Sequence, residues 1–116
     1  MTFKGITKSF SLLNEDQYNT IGAFWDQMTE LYGLENLRGL GYEWSNGEIK
    51  YAIGLIDGDI DGYNLTIDLP DDGWTVAYGE TECLKEMYDL IYRDGALRYE
   101  IETFSEDGRC RVEYYR

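Results

Sequence analysis

The most suggestive spacing in this sequence is Asp57-Gly58-Asp59-Ile60-Asp61-Gly62, which satisfies D-x-D-x-D-G, the opening of a calcium-binding EF-hand loop. The rest of that pattern is missing. The twelfth position is Asp68, a shorter grip than glutamate, the eighth is Asn64 where an apolar residue is expected, and extended segments flank the run. It reads as a solvated acidic loop, and no metal or other cofactor is expected. Cys83 falls in the first turn of a predicted helix, a place that lowers a thiol pKa. Glu80 and Glu82 beside it act in the opposite direction, so Cys83 reads as a small buried residue near the helix end. The sequence contains no histidine. That removes Ser-His-Asp and Cys-His catalysis, His-liganded zinc and an imidazole pH switch.

Composition narrows the partners. The chain has 116 residues, with 10 Lys and Arg against 23 Asp and Glu, a net charge of −13. Such a chain repels phosphate backbones, which excludes direct nucleic-acid binding. Cys83 and Cys110 are too few for a disulfide framework or a metal cluster. No apolar run reaches the length of a membrane span or a signal segment, so a reduced, cytoplasmic protein is expected. One domain of this mass buries roughly two-thirds of its surface. Eleven of the residues are tyrosine against 4 Phe and 3 Trp. A flat apolar face with a polar tip suits a wet pocket, and with the acidity it favours a flat or lipophilic ligand, neutral or cationic.

These residues are positioned by a simple order of elements. Residues 2 to 12 read as a strand. Asn14-Glu15-Asp16-Gln17 looks like a helix start capped by Asn14. Tyr18, Ile21, Trp25, Met28 and Tyr32 then recur at helical spacing until Gly33. Leu40–Trp44 and Ile49–Ile56 form a hairpin through Asn46-Gly47. Residues 65 to 69 and 74 to 78 are again extended, separated by Pro70-Asp71-Asp72-Gly73. A second helix starts near Thr81, with Leu84, Met87, Tyr88 and Ile91 on one face, and stops at Gly95. Leu97–Phe104 and Arg109–Tyr115 close the chain as a hairpin. Strand–helix–strand–strand thus occurs twice, and Leu-x-Tyr-Glu leads into both hairpins, at Leu40 and Leu97. The expected fold is α+β: a duplicated βαββ, two pseudo-twofold-related halves (about 1–57 and 65–116), with an antiparallel sheet and two helices. Such halves leave a cleft along their axis.

FKGITKSFSLLNE, IGAFWDQM, YAIGL, LPDDGWTVAYGET, MYDLIY and LRYEIETFSEDGRCRVEYYR follow one another from end to end. In that order the chain resembles the GyrI-like, or AraC-type effector-binding, domain over essentially all its residues. The resemblance implies a stand-alone binding domain for lipophilic, often cationic or aromatic small molecules, acting in transcriptional regulation or drug sensing. No DNA-binding helix pair precedes it, so it implies action alone or through a separate transcription regulator. The family's recognition glutamate matches Glu100, with Glu113 and Tyr115 as weaker matches. A non-enzyme is expected; the alternatives within the resemblance are a small-molecule hydrolase using the cleft glutamate, or an inhibitor of a protein such as gyrase.

Alternation leaves Glu100 open. Arg98, Glu100 and Glu102 share one face of their strand, and Tyr99, Ile101 and Thr103 the other. That pattern also describes an ordinary amphipathic strand with Glu100 on the wet side. Glu43, the repeat equivalent of Glu100, has the same two readings. Trp25, Tyr18, Tyr32, Tyr88 and Tyr92 lie on helix stripes and read as core. Trp44, Tyr51, Trp74 and Tyr78 lie on strands and are available to a cleft, with Trp44 and Tyr78 preferred.

Overall fold

Apolar residues on both faces of the middle strands force this sheet to be covered on both sides. The computed structural model describes residues 1–34 and 36–116. Its elements are β1 (Thr2–Ser11), α1 (Gln17–Tyr32), β2 (Arg38–Ser45), β3 (Glu48–Ile56), β4 (Leu65–Asp68), β5 (Thr75–Glu80), α2 (Leu84–Arg93), β6 (Tyr99–Phe104) and β7 (Arg109–Tyr115). The seven strands form one sheet in the order β4-β1-β3-β2-β6-β7-β5, and every neighbouring pair is antiparallel. The fold is α+β. β1-α1-β2-β3 and β5-α2-β6-β7 are the two βαββ units, and they join where β2 pairs with β6. Tyr42 and Tyr99, the tyrosines of the two Leu-x-Tyr-Glu motifs, face each other directly across that join. β4 lies in the stretch assigned to the second half by sequence, yet it pairs with β1 of the first.

Register decides which side chains meet. Ile53, Gly39, Glu102 and Val112 are successive neighbours across β3, β2, β6 and β7; Tyr51, Gly41, Glu100 and Tyr114 form the next row on the same face. Both helices cover this face. α1 packs Phe24, Trp25 and Met28 with Tyr51 and Ile53, and α2 packs Tyr88 and Ile91 with Val112. The opposite face carries its own core of Phe3, Leu40, Tyr42, Ala52, Leu69 and Ile101, edged by Trp74 and Tyr99. Each such apolar side chain contributes about 1.5–3 kcal/mol on burial. Ile101 is therefore buried on the side away from the helices, and its neighbours Glu100 and Glu102 point toward them.

The turns follow the expected chemistry. Asn46 and Gly47 take φ of 52° and 74°, and Gly33 ends α1 at φ 84°. The start of α1 differs from expectation. Asn14 sits inside a single 3-10 turn at φ 55°, so the helix begins after Asp16 without a side-chain cap. A 3-10 turn over Thr81–Cys83 likewise precedes α2. Cys83 is exposed rather than buried; Cys110 is the buried cysteine. No helix among the described residues is long and apolar enough to cross a membrane.

Candidate functional site

A cavity of about 1100 Å³ lies between α1 and α2 over the centre of the sheet. Its floor is built by the two rows described above. β2 gives no side chain there because Gly39 and Gly41 face upward; β6 gives Glu100 and Glu102. The glycines are required by close approach, the usual reason for glycine within a strand. A Cβ on Gly41 would lie 2.7 Å from the Glu100 carboxylate, and one on Gly39 would overlap the Tyr51 hydroxyl.

Glu100 and Glu102 are each only 4% exposed. Tyr92 donates to Glu100 Oε2 at 2.8 Å, and Tyr88 donates to Glu102 Oε2 at 2.8 Å. Tyr51 reaches diagonally over Gly39 to donate a short hydrogen bond to Glu102 Oε1. Trp25 Nε1 in turn donates to the Tyr51 hydroxyl at 2.8 Å. Each helix therefore supports one arm of the network, α1 through Trp25 and α2 through Tyr88 and Tyr92. The last two rings stack at 5.5 Å, as expected for residues four apart on a helix. Among the described residues, none of the ion pairs includes Glu100 or Glu102.

Two carboxyls out of water and side by side resist ionising together. Burial, then the charge of Glu102, pushes Glu100 up to about 8, against hydrogen bonds that pull it down. Burial also raises Glu102, opposed by Tyr51 and Tyr88. Burial and the neighbouring acids hold the Tyr51, Tyr88 and Tyr92 phenols well above their ordinary range. They remain neutral donors at any physiological pH. Tyr18, at the wall, is pushed up to about 12, mainly by burial. The mouth carries exposed Glu15, Asp26 and Glu82, with Lys85 held 3.6 Å from Glu15 and from Asp89. The field at the entrance favours cations.

Of the residues singled out from the sequence for a cleft, Glu100, Trp44 and Tyr51 line the cavity. Trp44 arrives there through a bulge. Three steps in β2, from Tyr42 to Ser45, oppose two in β3, from Lys50 to Glu48, and Glu43 takes φ 49°. The extra residue turns Glu43 out to an ion pair with Lys50 at 2.6 Å and brings Trp44 in. Tyr78, Glu113 and Tyr115 lie outside the cavity. Tyr78 is 74% exposed on edge strand β5, with Arg111 5.9 Å from its ring centre. Glu113 faces away from the helices and pairs with Arg111 at 3.6 Å. Tyr115 stacks among Trp74 and Tyr99 on the helix-free face.

Sequence reasoning passed over five contributors. Helix periodicity reads Trp25, Tyr18, Tyr88 and Tyr92 as core; Trp25 and Tyr88 are buried in it, and all four also border the cavity, which periodicity does not reveal. The fifth, Glu102, was placed on the face of Glu100 without a role. Gly39-Leu40-Gly41 was the usable signal: two glycines spaced by two in a strand mark an approach from one face. The Asp57 loop serves the fold instead. Asp57 accepts the Thr2 amide at 3.0 Å, Asp59 the Lys4 ammonium at 2.6 Å and Asp68 the Thr2 hydroxyl at 3.0 Å. The Cys83 thiol is raised by partial desolvation and by Glu86, Glu80 and Glu82, opposite to an activated nucleophile.

No protein-family model and no curated protein sequence matches the chain. Among solved structures, that of SAV2435 bound to tetraphenylphosphonium superposes with a TM-score of 0.69 at 15% identity. The match covers 98% of this chain and 87% of that one, so this chain shares that fold over nearly its whole length.

Proposed function

We propose that this chain is a GyrI-like binding protein for lipophilic, aromatic cations, a drug-sensing module that acts through a separate transcription regulator and does not turn its ligand over. The observation that carries the reading is the buried pair Glu100 and Glu102, hydrogen-bonded by tyrosines alone and open to a cavity walled by aromatic rings. A buried carboxylate is costly until an opposite charge joins it. A ligand cation supplies that charge, and each suitably placed Tyr or Trp face adds about 0.5–2 kcal/mol of cation–π attraction. Recognition by charge and flat faces sets few demands on ligand shape. The cavity is also wider than a single small metabolite needs, at about 1100 Å³. Support from outside the chain is the shared fold of SAV2435, whose structure contains tetraphenylphosphonium.

The test uses one shape with two charges. Tetraphenylphosphonium at about a hundred times its Kd should stabilise the protein by roughly 2.7 kcal/mol and raise its melting temperature. Tetraphenylborate, the same shape as an anion, should not. Equal shifts from both ions, or a cation response untouched by Glu100→Gln, would remove the carboxylate from the site.

A further inference from the structure

The two carboxylates of the cavity floor are not equivalent. Glu102 accepts a phenol on each oxygen, from Tyr51 and from Tyr88, whereas Glu100 accepts one on Oε2, from Tyr92, shares the Tyr88 phenol only secondarily, and has its Oε1 above Gly41. Two donors stabilise an ionised carboxylate more than one does. Glu102 is thus the better-held anion, and Glu100, two residues along the same strand face, must sit beside it. The other groups facing the pair are Tyr18 from α1, Tyr51 from β3, Tyr88 and Tyr92 from α2, and Tyr114 opposite Glu100 in β7. β2 presents Gly39 and Gly41 and, past its bulge, the neutral Trp44. Exposed Glu15, Asp26, Glu82 and Lys85 stand at the mouth. The sequence has no histidine, so no imidazole shares the titration.

We propose that ligand uptake is a one-for-one exchange: the ligand-free pair keeps a proton on Glu100, and a monovalent lipophilic cation replaces it as the proton leaves for solvent. This inference rests on the cation-binding reading and adds its regulation. No covalent bond to the ligand forms. The O–H of Glu100 breaks, its electron pair stays on the carboxylate, and the net charge of the floor is the same before and after. Glu102 acts as a positioning residue, a fixed anion that keeps its neighbour protonated until a cation arrives. Uptake is then favoured by rising pH and resisted by falling pH, since only the ionised fraction of Glu100 is competent.

Calorimetric titration with tetraphenylphosphonium in two buffers of different ionisation enthalpy, near pH 6.5, counts the protons. About one proton should leave per ligand, and the apparent Kd should tighten about tenfold per pH unit between roughly pH 5.5 and 7.5. Binding with no proton release and a constant Kd over that range overturns the exchange while leaving cation binding intact. In Glu102→Gln the fixed anion is gone while burial remains, so the pH at which the slope flattens should move down and proton release near pH 6.5 should fall. Unchanged release in that variant refutes the role given to Glu102. The carboxyl carbon of Glu100 followed by NMR in the ligand-free wild type needs no variant: it should titrate above neutrality, and a Glu100 already ionised near pH 6 also overturns the exchange. No binding of tetraphenylphosphonium at any pH refutes the functional reading and the exchange with it, while the NMR titration still reports where the proton resides.

Discussion

Replacing Glu100 by glutamine should change how stability depends on pH, with a sign fixed by the geometry. Gln keeps the shape and the acceptor for the Tyr92 phenol but carries no charge. In the folded protein the Glu100 carboxyl is raised from an ordinary 4.5 to about 8, first by burial and then by Glu102. Between those values the folded state holds a proton that the unfolded chain has already released. Stability therefore falls as pH climbs through this window, at most ~1.4 kcal/mol per pH unit. Relaxation of the site and coupling to Glu102 reduce the full integral to on the order of 3 kcal/mol. With an unfolding entropy of about 2.1 cal/mol/K per residue, that corresponds to roughly 12 °C in melting temperature for a domain of this length. Urea unfolding of wild type and Glu100→Gln should give similar stabilities near pH 5, and a variant more stable by several kcal/mol near pH 8.5. Glu43→Gln, a change at an exposed acid paired with Lys50, should track the wild type throughout. Parallel wild-type and Glu100→Gln profiles from pH 5.5 to 8.5 would mean that Glu100 is ionised and compensated, against the burial and hydrogen bonding described above.

The remaining expectations concern how the cavity is built. Gly41→Ala puts a methyl 2.7 Å from the Glu100 carboxylate; calorimetry should show tetraphenylphosphonium binding weakened at least tenfold, with a stability loss of about 1–3 kcal/mol from overpacking. Gly22 lies on the cavity side of α1 and a Cβ there meets no atom within 4 Å; Gly22→Phe should fill the opening and abolish the ligand-induced thermal shift with far-UV dichroism retained. Tyr51→Phe takes a donor from Glu102 and an acceptor from the Trp25 N–H, so urea unfolding should register a loss of about 1–3 kcal/mol. Tyr78→Ala alters an exposed edge residue and should leave ligand affinity unchanged and stability within about 0.5 kcal/mol.

Much of the fold was written in local chemistry. The Tyr18-to-Tyr32 stripe produced α1, Asn46-Gly47 produced the β2–β3 turn, and the repeated Leu-x-Tyr-Glu marked the two strands that meet at the centre. Local pattern could not say which strand pairs with β4, because its hydrogen bonds go to β1, some sixty residues earlier. For the site, Glu100, Trp44 and Tyr51 were legible, the first through resemblance and the others as strand aromatics. Tyr88 and Tyr92 were not, because helical spacing shows which residues share a face and says nothing about what lies opposite. Glu113 and Tyr115, the weaker matches of the resemblance, lie on an adjacent antiparallel strand that presents the same residue types as β6. Only the register, which sets Ile101 against Glu113 and Glu100 against Tyr114, separates the helix-free side from the cavity side.

One extra residue in β2 has a wider bearing. Glu43 and Glu100 follow the same tyrosine in the two repeats, yet one meets solvent and the other an enclosed hollow, because only β2 steps out of phase. Excising Trp44 or Ser45 would restore that phase, exchanging the indole for a third acid. The ligand charge this scaffold accepts can thus be rewritten by a deletion, with every remaining amino acid kept as it is.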